Sequence, residues 1–345
     1  MKPGMNNPNK YTTLELRRIA YLLHQLVKYA DLFGFGEDFD LYFKRLNSPK
    51  GAEIFLRHIL NLLRIARAPI YGKSILDAGC GFGMTSLALR LLGAQRVVGI
   101  DLKRERLDIF CRMLNSLPFA IDGISMHNMS VTDMAFRDQS FDMILVNEAI
   151  SHYNDVGRFF NESQRILTPG GVLIVSDGNN YSNPLLRRKN IKLWQTLEQG
   201  PDGITVWGHR IEKSLKTQRG EIIADFCPGL HKNEVDMLAA TTSGLYGTRL
   251  LDAVRRYVAT GKKPRQPYSR GRCPRNPVLG TLMEMAFDPY ELMRRMSPLG
   301  FDVRVHSHFF GARGSLLYYF NRLLSYLSPV TIYGARAFRI VATKA

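Results

Sequence analysis

Acidic residues are in short supply: 30 Asp and Glu stand against 47 Lys and Arg, a formal net charge of +17 over 345 residues. Such an excess favours anionic partners, whether nucleic acid, a lipid surface or a phosphorylated substrate, and does not choose among them. Cysteine is also sparse. The four present, Cys80, Cys111, Cys227 and Cys273, include no Cys-x-x-Cys pair, which argues against a zinc knuckle or a disulfide framework. A reduced, cytoplasmic setting is expected. No run of about 18 uncharged apolar residues occurs, so no membrane span is expected. The opening MKPGMNNPNKYTTLELRR has no apolar core of the signal-peptide kind. No internal repeat is visible.

What is present divides into four parts. Residues 1–70 form an N-terminal helical segment. In TTLELRRIAYLLHQLVKYADLFGF, Leu16, Ile19, Leu22, Leu23 and Leu26 fall on one helix face. EIFLRHILNLLRIARAP repeats the pattern up to Pro69. Both helices suit packing on a core, and basic amphipathic helices also suit a membrane surface. Residues 71–176 alternate strand and helix. Strands are predicted at Ser74–Asp77, Arg96–Asp101, Ile124–His127, Phe141–Val146 and Val172–Ser176, with helices at Met84–Leu92, Glu105–Asn115 and Asp155–Leu167. Thr168-Pro169-Gly170-Gly171 reads as the stop after the last helix. This alternation implies a parallel sheet with helices on both faces and ligands at the carboxyl ends of its strands. Residues 177–287 break the rhythm, with short helical patterns at Glu234–Ala240 and Arg249–Tyr257. Residues 288–345 return to it, with a helix at Tyr290–Leu299 and strands at Asp302–His308 and Ala337–Thr343, completing a seven-stranded sheet.

The most informative stretch is ILDAGCGFGMTSLALRLLGAQRVVGIDLK. Asp77, Gly79, Gly81 and Gly83 form D-x-G-x-G-x-G, in which glycine lets the backbone turn sharply and approach a ligand closely. Asp101 ends the next strand, where an acid suits the two hydroxyls of a ribose. The hydride-cofactor fingerprint G-x-G-x-x-G would need glycine at position 84, which is Met84. A P-loop fails as well, because no Gly-Lys-Ser/Thr follows. Acids accept hydrogen bonds from hydroxyl and amino groups and offer nothing to a phosphate, so a nucleoside without phosphates fits better than a dinucleotide.

These residues resemble the class I S-adenosylmethionine-dependent methyltransferases, in particular their type 11 small-molecule branch. Four segments match in order: ILDAGCGFG, VVGID, SVTDMAFRDQSFDMILVNEAISH and ESQRILTPGGVLIVSD. The resemblance implies an α/β, Rossmann-like, seven-stranded mostly parallel sheet, with the helical segment before it and a large insertion after strand five. It implies S-adenosyl-L-methionine as cofactor. Gly79, Cys80 and Gly81 would lie against the methionine moiety, with Asp77 reaching its ammonium. Asp101 would accept the ribose hydroxyls and Leu102 would pack on the adenine. Asp133 would accept from the adenine amino group, with the Met134 amide nearby, and Asn147 would face the methyl donor.

Methyl transfer is an in-line displacement that chiefly needs alignment and exclusion of water. A general base is needed only where the acceptor holds its proton firmly. His152, five residues beyond Asn147, is the first candidate base and is otherwise a packing residue of its turn. His209, in ITVWGHR, is the second, carried by the insertion. His231 follows a Pro-Gly turn and suits a helix cap, and Glu148 suits tuning of the local field. No His/Cys/Asp spacing reads as a metal site. Asp177 with Asn179 lacks a clear third ligand.

The inserted segment 177–287, expected to form a lid and substrate region, carries 18 Lys and Arg against 10 Asp and Glu, a net of +8, with no acid from Ala253 to Met283. That run contains Arg255, Arg256, Lys262, Lys263, Arg265, Arg270, Arg272 and Arg275. It reads as a solvated loop, as an edge for an anionic small molecule or glycolipid head group at a membrane surface, or as a phosphate-tracking surface. Only Tyr257 and Tyr268 offer stacking faces there, which disfavours nucleic acid. The aromatic segment Leu316–Tyr333 suits a greasy acceptor or interfacial contact. The expectation is methylation, of oxygen by preference, of a small-molecule or lipid- or glycan-linked acceptor, with peripheral membrane contact. The alternatives are an RNA methyltransferase and a non-catalytic S-adenosylmethionine-binding protein.

Overall fold

The computed structural model describes residues 11–31, 43, 46–116, 120–207, 209–309 and 316–345. The opening residues and most of the stretch between the first two helices therefore lie outside the described part. The chain folds as two units. One takes the described residues up to Ile150, Asp155–Gly178 and Pro289–Ala345; the other takes Ser151–Asn154 and Asn179–Asp288.

The first unit is built on a seven-stranded sheet. Its strands are β1 (Ser74–Ala78), β2 (Arg96–Asp101), β3 (Ile124–Asn128), β4 (Phe141–Asn147), β5 (Leu167–Asp177), β8 (Phe301–His308) and β9 (Ala337–Lys344), ordered β3-β2-β1-β4-β5-β9-β8. The first five are parallel, and β9 runs antiparallel to both β5 and β8. Strands buried on both faces read as runs such as RVVGID and FDMILVN, the pattern of a sheet covered by helices. The numbers missing from this series, β6 (Ile204–Val206) and β7 (His209–Ile211), form an antiparallel hairpin in the second unit.

Helices α1 (Thr13–Asp31) and α2 (Pro49–Ile65) pack on the sheet unit through Leu16, Leu23, Leu56, Ile59 and Leu63, which share one core with Ile75, Leu87, Val97, Phe110 and Ile174. Ser48 caps α2 by accepting the Gly51 amide at 3.0 Å, and Pro49 suits the first turn. The crossover helices are α3 (Met84–Leu91), α4 (Arg104–Asn115) and α5 (Val156–Ile166). Asp155 caps α5. The strand β5 begins at Leu167, and the sequence Thr168-Pro169-Gly170-Gly171, read above as a stop, lies inside it. Leu167 pairs with Phe141, and a register shift separates that pair from Val172 opposite Met143. The turn-forming residues thus make an irregularity in a strand that resumes.

In the second unit α6 (Pro184–Gln199), α7 (Leu215–Phe226), α8 (Lys232–Thr241) and α9 (Gly247–Thr260) follow one another. Ile223, Leu238, Leu250 and Val254 form one small core, and Trp194, Cys273 and Ala286 another. Arg219 is fully buried on α7, where its guanidinium donates to both carboxylate oxygens of Glu198 and, from Nε at 3.1 Å, to the Ala239 carbonyl. In the first unit again, α10 (Pro289–Met296) precedes β8, and α11 (Leu316–Tyr326) and α12 (Ser328–Thr331) lie between β8 and β9. No described helix is long and apolar enough to cross a membrane.

Candidate functional site

Strand order reverses at β1, which has β2 on one side and β4 on the other. The carboxyl ends of these strands are where such a sheet places a ligand. Asp77, Asp101 and Asn147 stand at those three ends.

The turn after β1 is left-handed at Gly79, Gly81 and Gly83, with φ of +74°, +55° and +73°. The amides of Gly79 and Cys80 both donate to the Ile100 carbonyl at 2.9 Å, which lashes the turn to β2. Gly81 donates its amide to Asp101 Oδ2 at 2.9 Å, and a Cβ at Gly81 would meet nothing within 4 Å. The turn therefore has open space beside Gly81, where a ligand can approach the backbone. Asp101 Oδ1 accepts the Lys103 amide at 2.8 Å. Its carboxylate is oriented by two main-chain donors and keeps further lone pairs for hydroxyl donors. Leu102, next to it, is 40% exposed, an apolar side chain left available for a flat ring. Asn128, at the end of β3, donates to the Asp101 and Leu102 carbonyls at 3.0 and 2.9 Å and fixes their backbone.

Asp77 is buried and accepts the Ser86 hydroxyl at 2.6 Å. Burial, with a smaller push from Asp101, raises its pKa to about 7 despite the opposing hydrogen bond. Cys80 is buried and its thiol is pushed well above the ordinary range, so it is inert as a nucleophile.

Asp133 is exposed in the loop before β4. Its neighbour Met134 does not present a free amide: that N–H donates to Glu162 Oε2 at 2.8 Å. Arg165 completes the brace, donating to the carbonyls of Met134 and Phe136 at 2.7 Å and to Asp138 at 2.8 Å. The guanidinium holds the Glu162 carboxyl below its usual range.

Asn147 Oδ1 lies 2.9 Å from His58 Nε2 on α2, so the imidazole is the donor. Beyond His58 the contacts continue to Arg339 on β9 at 3.5 Å, to His308 on β8 at 3.1 Å and to Asn321 on α11 at 2.9 Å. Burial and the Arg339 charge lower the His308 pKa to about 3, so this ring stays neutral. Glu148, with a left-handed φ of +55°, accepts the Gly178 amide at 3.0 Å and ties the end of β4 to the end of β5.

His152 belongs to the second unit. Its Nδ1 lies 3.0 Å from the Leu282 carbonyl, and since a carbonyl only accepts, Nδ1 carries the proton. Nε2 is 3.5 Å from Glu284 Oε1, while Glu284 Oε2 accepts from Asn179 at 2.8 Å. His209 opens β7 opposite Val206; its side chain lies outside the described part. His231 starts α8, its amide bonded to Glu234 at 3.0 Å, a capping arrangement. Among the described residues no three His, Cys, Asp or Glu side chains gather as metal ligands.

Residues 76–175 match the family described as the methyltransferase domain. This is a class I S-adenosylmethionine-dependent methyltransferase domain. The chain is 31% identical over 123 residues to a demethylmenaquinone methyltransferase of Clavibacter sepedonicus, covering 36% of this chain and 48% of that protein. It is 34% identical over 107 residues to phthiotriol/phenolphthiotriol dimycocerosates methyltransferase 1 of Mycobacterium ulcerans, covering 31% and 38%. It is 35% identical over 127 residues to a ubiquinone biosynthesis O-methyltransferase of Xanthomonas campestris, covering 35% and 52%. The chain thus spans about half, or less, of the length of these relatives.

Ser86, His58, Asn128 and Glu284 have no sequence signal of their own, and Glu162 and Arg165 lie in the matching segment ESQRILTPGG without a role read for them. Each is found only through its partner.

Proposed function

We propose that the chain transfers a methyl group from S-adenosylmethionine to a hydroxyl of a small-molecule or lipid- or glycan-linked acceptor. The carrying observation is the Asp101 carboxylate, held by two backbone amides beside an exposed Leu102 and a glycine turn with open space next to it. That donor-hungry, phosphate-averse arrangement fits a ribose and an adenine. In this reading Asp101 holds the ribose hydroxyls, Leu102 packs on the adenine and Asp133 accepts its amino group. The Met134 amide, engaged by Glu162, acts by fixing the loop. Gly79, Cys80 and Gly81 line the methionine moiety, Asp77 faces its ammonium, and Asn147, steadied by His58, stands towards the donor. The bound cofactor supplies an electrophilic methyl carbon on a positive sulfur.

The inserted unit, which leaves the first unit after β5 and returns before α10, selects the acceptor. His152 takes the acceptor's proton on Nε2, because Nδ1–H is committed to the Leu282 carbonyl, and Glu284 stabilises the imidazolium. The names of the relatives, two quinone-pathway enzymes and one acting on a phthiotriol lipid, support an apolar or lipid-linked acceptor over RNA.

The test has two stages. Calorimetry with S-adenosylhomocysteine should show saturable binding in preference to a dinucleotide. Radiolabelled methyl transfer into a fractionated lysate should then label the lipid or small-molecule fraction. Label confined to RNA would overturn the acceptor class, and tight dinucleotide binding would overturn the cofactor.

A further inference from the structure

The two helices between β8 and β9 are amphipathic in the inverted sense. Three of their polar side chains face the protein. Asn321 is buried, accepts the Phe309 amide at 2.7 Å and pairs with His308 at 2.9 Å. Ser328, also buried, accepts the Ser307 amide at 2.8 Å, and Thr331 bonds the Ser307 hydroxyl at 2.7 Å. In and beside these helices Phe320, Leu323, Tyr326, Leu327, Val330 and Tyr333 face outward, between 56% and 76% exposed. A surface helix serving only the core turns its apolar face inward. Six large apolar side chains on one outward surface mark an interface.

Charge chooses the occupant. No Asp or Glu follows Asp302, and of the cations beyond it Arg304 and Arg336 are exposed, whereas Arg339 is buried and Lys344 bonds the Gln164 and Leu167 carbonyls. A second copy of the chain would set this cationic segment against itself in a two-fold contact, which is repulsive. An anionic bilayer accepts both properties, apolar and tyrosine side chains entering the headgroup region while cations remain at its surface. We propose that the outward face of α11 and α12 docks on an anionic lipid bilayer. This surface is separate from the basic run of the inserted unit, and the inference does not depend on the methyl-transfer reading.

The experiment is flotation of the full chain with vesicles of phosphatidylcholine alone and of phosphatidylcholine mixed with phosphatidylglycerol. The wild-type chain should float with the mixed vesicles. The combined variant Leu323→Asn, Tyr326→Ser, Val330→Asn should lose about tenfold or more in vesicle affinity, since it removes most of the insertable apolar area. Because all three side chains are exposed, its melting temperature and its affinity for S-adenosylhomocysteine should match wild type. A single Val330→Trp variant should show a blue-shifted emission on adding mixed vesicles. Three results overturn the proposal: undiminished flotation of the triple variant, flotation abolished only by neutralising the basic run, or wild-type self-association that the triple variant relieves without any flotation. Retained cofactor affinity alongside lost flotation keeps this inference distinct from the methyltransferase reading.

Discussion

Asp101 Oδ2 accepts the amide of Gly81 across 2.9 Å, joining the end of β2 to the glycine turn that follows β1. One side chain therefore both shapes the turn and offers its remaining lone pairs to a ligand. Asp101→Ala should weaken S-adenosylhomocysteine binding roughly 100-fold, the loss of two charge-assisted hydrogen bonds at about 1.5 kcal/mol each. It should also lower the melting temperature, while Asp101→Asn, which keeps one acceptor, should fall between. Calorimetry and melting curves check both, and unchanged affinity in the alanine variant would remove Asp101 from the site.

Asp77 should couple binding to protons. Burial raises its pKa to about 7 in the folded chain. A raised carboxyl contributes stability that is present below the ordinary carboxylate range and is lost as pH climbs towards 7. The cofactor's ammonium favours the ionised form. Affinity for S-adenosylhomocysteine should therefore rise with pH up to about 7 and level off above it, with proton release on binding in acid. Titrations in buffers of different ionisation enthalpy measure that release, and Asp77→Asn should abolish it.

Gly99 should not tolerate a side chain. A Cβ there would run into Met126 Sδ and lie 2.9 Å from Cys80 Sγ. Gly99→Ala should destabilise the chain by about 1–3 kcal/mol through overpacking. Adding Met126→Ala should recover part of the loss, and a thermal melt of the double variant that shows no recovery would place the strain elsewhere.

His152→Ala should lower kcat about 100-fold or more once the acceptor is known, with cofactor affinity unchanged. Glu284→Gln, which removes only the imidazolium's partner, should lower kcat by less. Unaltered turnover in His152→Ala would return this residue to a packing role.

Within the basic run the cations divide. Arg272 bonds the Ser243 carbonyl and hydroxyl at 3.0 and 2.9 Å, and Arg275 bonds the Gly280 and Asn154 carbonyls at 2.9 and 3.2 Å. Replacing either with Gln should lower the melting temperature. Lys262, Lys263, Arg265 and Arg270 are exposed. Neutralising those four should leave the melt unchanged and raise KM for an anionic acceptor, with a salt dependence weaker than wild type. A KM that does not move would assign the run to a solvated loop.

β1, β2 and β4 were legible because each is short and mostly buried, and because a glycine turn follows β1 and an acid ends β2. Leu167 to Gly171 misled because Pro and two glycines resemble a stop, although pairing with β4 is made on either side of them, at Leu167 and again from Val172. Helix α7 gave no apolar period because Arg219 occupies its buried face, neutralised by Glu198, which lies 21 residues away. In α11 Phe320, Leu323 and Tyr326 face outward, so an apolar pattern there gave no clue to packing. At the site, Asp77, Asp101 and the glycines declare themselves by spacing. Their fixers do not: His58 and Asn147 lie 89 residues apart, and only the fold makes them neighbours.

The place of β9 has a consequence for how the molecule is made. β9 lies between β5 and β8, yet it begins at residue 337, 160 positions after β5 ends at residue 177. During synthesis the whole inserted unit leaves the ribosome while one side of β5 still lacks its neighbour. That unit has cores of its own and can collapse in the interval. The sheet, by contrast, waits for a pairing of high sequence separation, the slow kind. Until β9 arrives, the unpaired flank of β5 is the nascent chain's exposed edge and the place where a chaperone has most to protect.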